Sequence, residues 1–139
     1  MSVDCLLDTN IIAYAFSNLP SDAAKRQRAE EVMRAHHYGV SAQVLQELYT
    51  ILTRKAAMLM PAEHARVVVE NFAGTLCVPT DAALVLAGID LSIRYQISYW
   101  DGAVLAAAER LGAPTLYTED LNHGQRYGTV TVINPFRAA

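Results

Sequence analysis

Short apolar runs alternate along this chain with longer stretches in which apolar residues return every three or four positions. Residues 3–7 are mostly apolar and stop at Asp8-Thr9-Asn10, the pattern of a buried strand entering a turn. A short helix is predicted over 11–16 and a longer one over 22–37, with Ala29, Val32 and Met33 inward and Lys25, Arg26, Arg28 and Arg34 solvated. Residues 39–41 form a second short strand. Over 42–55 the set Val44, Leu45, Leu48, Tyr49, Ile51 and Leu52 has helical spacing. Further helices are predicted over 61–74, opened by Pro61 in its first turn, over 81–94, and over 101–111, closed by Gly112. Strands are predicted over 75–78, 115–118 and 130–133. Apolar strands separated by amphipathic helices imply an α/β fold, a three-layer α/β/α sandwich with a central parallel sheet.

The chain has 139 residues, the size of one domain with a core of its own, and one unit over 1–139 is expected. Its hydrophobic content of 53% leaves apolar surface for self-association. Cys5 and Cys77 are far apart and lack metal-ligand spacing, so both read as buried free thiols. The first residues carry no basic segment with a long apolar run behind it, and no stretch reaches the roughly 18 apolar residues of a membrane span. A cytoplasmic protein is expected.

The net charge of −3 argues at first against a polyanionic partner. Four acids change that picture. Asp8 ends the first strand, and Thr118-Glu119-Asp120 ends a later one, so two strand ends deliver acids to the rim where open parallel sheets place their functional crevice. Glu47 lies one turn from Val44 and Ile51, at the border of a buried helical face. Asp101 aligns with Val104, Leu105 and Ala108 on the face expected to meet the sheet. Taken singly, each has an ordinary role: capping for Asp8 and Asp101, a border side chain for Glu47, a loop residue for Asp120. Together they cannot remain ionised in a dry cleft without a cation. Carboxylates without a His or Cys cluster favour Mg²⁺ or Mn²⁺ over zinc. His36, His37, His64 and His123 form no ligand pair, although His123 lies near the expected pocket. Setting the four acids aside leaves ten acids against eleven bases, and a bound divalent cation would invite phosphate.

Leu6-Leu7-Asp8-Thr9-Asn10-Ile11, Gln46-Glu47-Leu48, Trp100-Asp101 before an alanine-rich helix, Thr118-Glu119-Asp120-Leu121 and Asn134-Pro135-Phe136 resemble the PIN-domain family, and within it the VapC-type toxins of toxin-antitoxin pairs. The likeness spans nearly the whole chain, and the ordered set of four acids is its specific part. It implies a metal-dependent endoribonuclease in which Asp8, Glu47, Asp101 and Asp120 are catalytic and hold the metal, with Glu119 competing for the place of Asp120. Thr9 and Thr118 match hydroxyls that orient metal-associated water. Gly102 departs mildly from the family, which often has a somewhat larger small residue there. The resemblance also implies an RNA substrate, a cognate antitoxin and a homodimer formed through helices.

Phosphodiester hydrolysis at one or two such metals would leave a 5′ phosphate and a 3′ hydroxyl. RNA contacts are expected from Arg54, Lys55, Arg94 and Arg126, with Tyr14, Tyr49, Tyr99, Trp100 and Tyr127 as stacking candidates. Two other phosphoryl-transfer classes fit poorly. A haloacid-dehalogenase-type phosphatase needs a second Asp where Asn10 stands, and a receiver domain needs a late lysine, whereas the only lysines are Lys25 and Lys55. The rival from another class is a catalytically inactive PIN-fold module that binds RNA or protein.

Overall fold

The computed structural model describes residues 3–137, so the expectation about the chain's first residues rests in part, at Met1 and Ser2, outside the described residues. Six strands form one sheet: β1 (Cys5–Leu7), β2 (Tyr38–Ser41), β3 (Leu76–Val78), β4 (Thr115–Tyr117), β5 (Arg126–Tyr127) and β6 (Val130–Ile133), in the order β3-β2-β1-β4-β6-β5. Every neighbouring pair is parallel except β5 with β6. The helices are α1 (Thr9–Ala15), α2 (Ala23–Ala35), α3 (Ala42–Arg54), α4 (Ala62–Ala73), α5 (Ala82–Tyr95) and α6 (Tyr99–Leu111). From β1 the chain steps outward to β2 and β3, then crosses to the other side of β1 for β4. Because parallel crossovers are right-handed, this reversal of direction puts α1 to α4 on one face and α5 with α6 on the other. The mixed α/β architecture with a mostly parallel central sheet is the one expected.

Local chemistry explains the elements. The strands are short and apolar, with Cys5, Leu6, Leu7, Val40, Leu116 and Val132 wholly buried, as a sheet covered on both faces requires. In α3, Val44, Leu48 and Leu52 recur every fourth residue and are all buried, while Ser41 caps the helix by accepting the Val44 N–H at 3.2 Å. Asp81 caps α5 through the Leu84 N–H at 2.8 Å.

Four details differ from the sequence reading. Helix α6 begins at Tyr99 rather than Asp101, because the Ser98 hydroxyl accepts the Asp101 N–H at 3.1 Å and acts as the cap. Pro61 is the N-cap of α4, not a first-turn residue. A 3₁₀ turn, Pro20–Asp22, precedes α2. The two-residue strand β5 adds an antiparallel edge, joined to β6 through Gly128 at φ +62°. The departure at Gly102 also has a structural reason. An added Cβ there would overlap the Gly88 carbonyl oxygen, so Gly102 lets α6 approach the backbone of α5.

Candidate active site

The sheet reverses its order between β1 and β4, and the crevice at a reversal lies beyond the carboxyl ends of the strands. Asp8 follows β1 and Thr118 follows β4. The Asp8 N–H still bonds to the Tyr117 carbonyl at 3.0 Å, so the two exits leave the sheet side by side.

Asp8 is the N-cap of α1 and is only 7% exposed. One carboxylate oxygen accepts the Thr9 N–H and the other accepts the Thr118 hydroxyl, each at 2.8 Å. Its pKa is raised to about 6: burial is the largest cause, those two hydrogen bonds oppose it, and the charges of Asp120 and Glu47 add to it. Glu47 projects from α3 at the surface, and its Oε1 accepts the Thr9 hydroxyl at 2.8 Å, across 38 residues of sequence. Asp120 accepts the Asn10 amide at 3.1 Å, and its own N–H bonds to the Thr118 hydroxyl at 3.1 Å. Its carboxyl lies above the usual range, first through partial desolvation and then through the charges of Asp101, Glu119 and Glu47. Asp101 stands in the first turn of α6, half-buried, with no hydrogen-bond donor on its carboxylate among the described residues.

The four acids thus lie close enough that Glu47 and Asp120 act on Asp8, and Asp101 and Glu47 act on Asp120. Among the described residues, however, no three His, Cys, Asp or Glu side chains stand close enough to enclose a single ion. Asp8, Glu47 and Asp120 each accept a hydroxyl, amide or backbone donor. The oxygen-only donor set, a carboxylate whose burial raises its pKa to about 6, and an open Asp101 together fit a hard divalent cation. Enclosing one would require the four side chains to draw closer together.

Several residues carry contacts beyond their expected roles. Glu119, the competitor for the place of Asp120, raises the Asp120 carboxyl by its charge, and its own oxygens accept the Tyr14 hydroxyl at 2.9 Å and Lys25 Nζ at 3.2 Å. Lys25 is therefore engaged rather than simply solvated. Tyr127 is only 2% exposed and packs on Tyr95, so it presents no stacking face. Arg94 lies over the Tyr95 ring, and Arg126 bonds to the Gly128 carbonyl. His123 accepts the Asn134 N–H at 2.9 Å and braces the C-terminal turn. Cys5 is buried as expected, whereas Cys77 is half-buried. Asn10, Tyr14 and Lys25 carry contacts that the sequence reading did not assign. The sole local signal was the spacing of Asn10 and Tyr14, one helical turn apart after the Asp8 cap.

Two clefts flank the acids and share Ile51. One is lined by Gln43, Gln46, Glu47, Thr50 and Trp100, the last 64% exposed; the other includes Asn10, Tyr14, Lys55, Met58 and Glu119.

A family model described as PIN domain matches residues 5–128. The fold is similar to that of Mycobacterium tuberculosis VapC20, a Sarcin-Ricin loop cleaving toxin, with a TM-score of 0.65 and 18% identity over 84% of this chain and 89% of that one. A toxin-antitoxin complex from Klebsiella pneumoniae matches with a TM-score of 0.69 and 18% identity over 94% and 97% of the two chains. FitAcB from Neisseria gonorrhoeae gives 0.62 and 23% over 96% and 99%. No curated protein matches the sequence.

Proposed function

The chain belongs to the PIN-domain family, and on that premise we propose that it is a metal-dependent endoribonuclease acting as the toxin of a toxin-antitoxin pair. The observation that carries this reading is the joining of Asp8, Glu47 and Asp120, through Thr9, Thr118 and Asn10, at the reversal of a parallel sheet. Asp8, Glu47, Asp101 and Asp120 would hold Mg²⁺ or Mn²⁺. When bound, such an ion supplies charge neutralisation at the phosphoryl oxygens and a more acidic attacking water.

The chain's own part is positioning. Thr118 and the Thr9 N–H hold both oxygens of Asp8, and the Thr9 hydroxyl orients Glu47, so the anionic oxygens are aimed before substrate arrives. The start of α6 favours negative charge at Asp101. RNA would cross the acids along the two clefts, with Lys55 toward phosphate and the exposed face of Trp100 toward an unpaired base. An antitoxin partner is supported by the toxin-antitoxin assemblies among the structural relatives. Exposed Leu86, Ile89 and Ile93, three and four residues apart on α5, support a homodimer through helices. Among the described residues no helix is long and apolar enough to cross a membrane, in keeping with a cytoplasmic nuclease.

The test is cleavage of RNA by the purified protein with Mn²⁺, with EDTA and with Asp101→Asn. Cleavage only by the Mn²⁺-loaded parent supports the nuclease. RNA binding without metal-dependent cleavage overturns it in favour of an inactive binding module.

A further inference from the structure

Two adjacent carboxylates, Glu119 and Asp120, leave β4 together, and one face of α1 sorts them. Asn10 and Tyr14 stand four residues apart, hence one above the other on that helix. Asn10 donates to Asp120 at 3.1 Å, while the Tyr14 hydroxyl donates to Glu119 at 2.9 Å. Lys25 of α2 closes the second contact: its Nζ lies 3.2 Å from the other Glu119 oxygen, 3.1 Å from the Tyr14 hydroxyl and 4.6 Å from the centre of the Tyr14 ring. The Phe136 ring covers the same ammonium at 5.4 Å. Both Glu119 oxygens are thereby occupied.

We propose that Lys25 is a positioning residue that, with Tyr14, holds Glu119 out of the metal site so that Asp120 alone serves as its fourth acid. The proposal rests on reading the acids as metal ligands. A salt bridge this exposed, with the two side chains 41% and 25% accessible, stabilises a fold little, so the arrangement is better explained by where it keeps the glutamate. Freed from Lys25, the Glu119 carboxylate would be one residue away from the place Asp120 fills.

The experiment is calorimetric titration of MnCl₂ into chelator-stripped protein, with melting temperatures recorded beside it. Asp120→Asn should weaken uptake at least about tenfold. Adding Lys25→Met to Asp120→Asn should recover about tenfold, clearly more than Lys25→Met gives in the parent chain, and adding Glu119→Gln as well should abolish that recovery. Tyr14→Phe, which removes only a hydroxyl, should act in the same direction and provides the test where Lys25→Met fails to fold. An equal shift from Lys25→Met in both backgrounds would mean that Lys25 acts only as a distant charge, overturning the proposal and leaving the metal site standing. Absence of Mn²⁺ uptake by the parent overturns the metal site and the positioning role together.

Discussion

The Thr118 hydroxyl donates a 2.8 Å hydrogen bond to Oδ2 of Asp8, tying the exits of β1 and β4 across 110 residues of sequence. The Thr118 hydroxyl oxygen also accepts the Asp120 N–H, so a single wholly buried side chain orients two of the four acids. Thr118→Val fills the space but leaves Asp8 without that donor. It should lower stability by about 1–3 kcal/mol and metal-dependent cleavage by about tenfold, and Thr118→Ser should restore both. Denaturant titration and RNA cleavage rates check this; a Val variant as active as the parent would count against an orienting role.

The raised pKa of Asp8 sets a pH dependence whose sign is opposite to that of an ion-paired aspartate. With a folded-state pKa of about 6 against an unfolded value near 3.9, the folded protein binds more protons between those limits. The protein is therefore favoured below about pH 4 by this group and loses that advantage as pH rises through about 6. The loss at neutral pH is on the order of 2–3 kcal/mol without metal. Asp120, raised for the same first reason, acts in the same direction.

Asp8→Asn should consequently stabilise the chelated protein at pH 7.5. The expected gain is about 1–2 kcal/mol, the relief of a buried charge less one hydrogen bond that an amide cannot accept. At pH 4 the gain should vanish. Urea titrations in EDTA at the two pH values measure it, and a variant clearly less stable at pH 7.5 would contradict the raised pKa of this buried carboxylate.

Gly102 tests the packing that sets the start of α6. In an exposed helix Gly→Ala stabilises, by roughly 1 kcal/mol. Here the new methyl meets the Gly88 backbone, so Gly102→Ala should instead cost about 1–3 kcal/mol by forcing α5 and α6 apart. Thermal unfolding decides the sign.

The elements most legible in the sequence were those whose signal is local. Val44, Leu48 and Leu52 mark α3 by period alone, and the apolar run ending at Asp8 marks both β1 and the site. The acids could be suspected as a group because strand ends and helix faces are themselves local features. Strand β5 has only two residues and owes its existence to pairing with β6, which no pattern in Arg126-Tyr127 encodes. The engagement of Lys25 was illegible for a similar reason: it stands among solvated charges of α2, and its partner lies 94 residues away. Tyr127 shows the converse, a polar-tipped ring whose burial against Tyr95 is decided by tertiary packing.

If four carboxylates from separate parts of the chain take up one divalent ion, Asp101 offers the cleanest test of it. Its carboxylate accepts no hydrogen bond among the described residues, so Asp101→Asn removes a charge without breaking a contact. Calorimetry of Mn²⁺ binding to the parent and to Asp101→Asn should show saturable uptake by the first, weakened at least about tenfold in the second with the melting temperature kept. Uptake of equal strength by both proteins, or by neither, would mean that these acids do not share a metal ion.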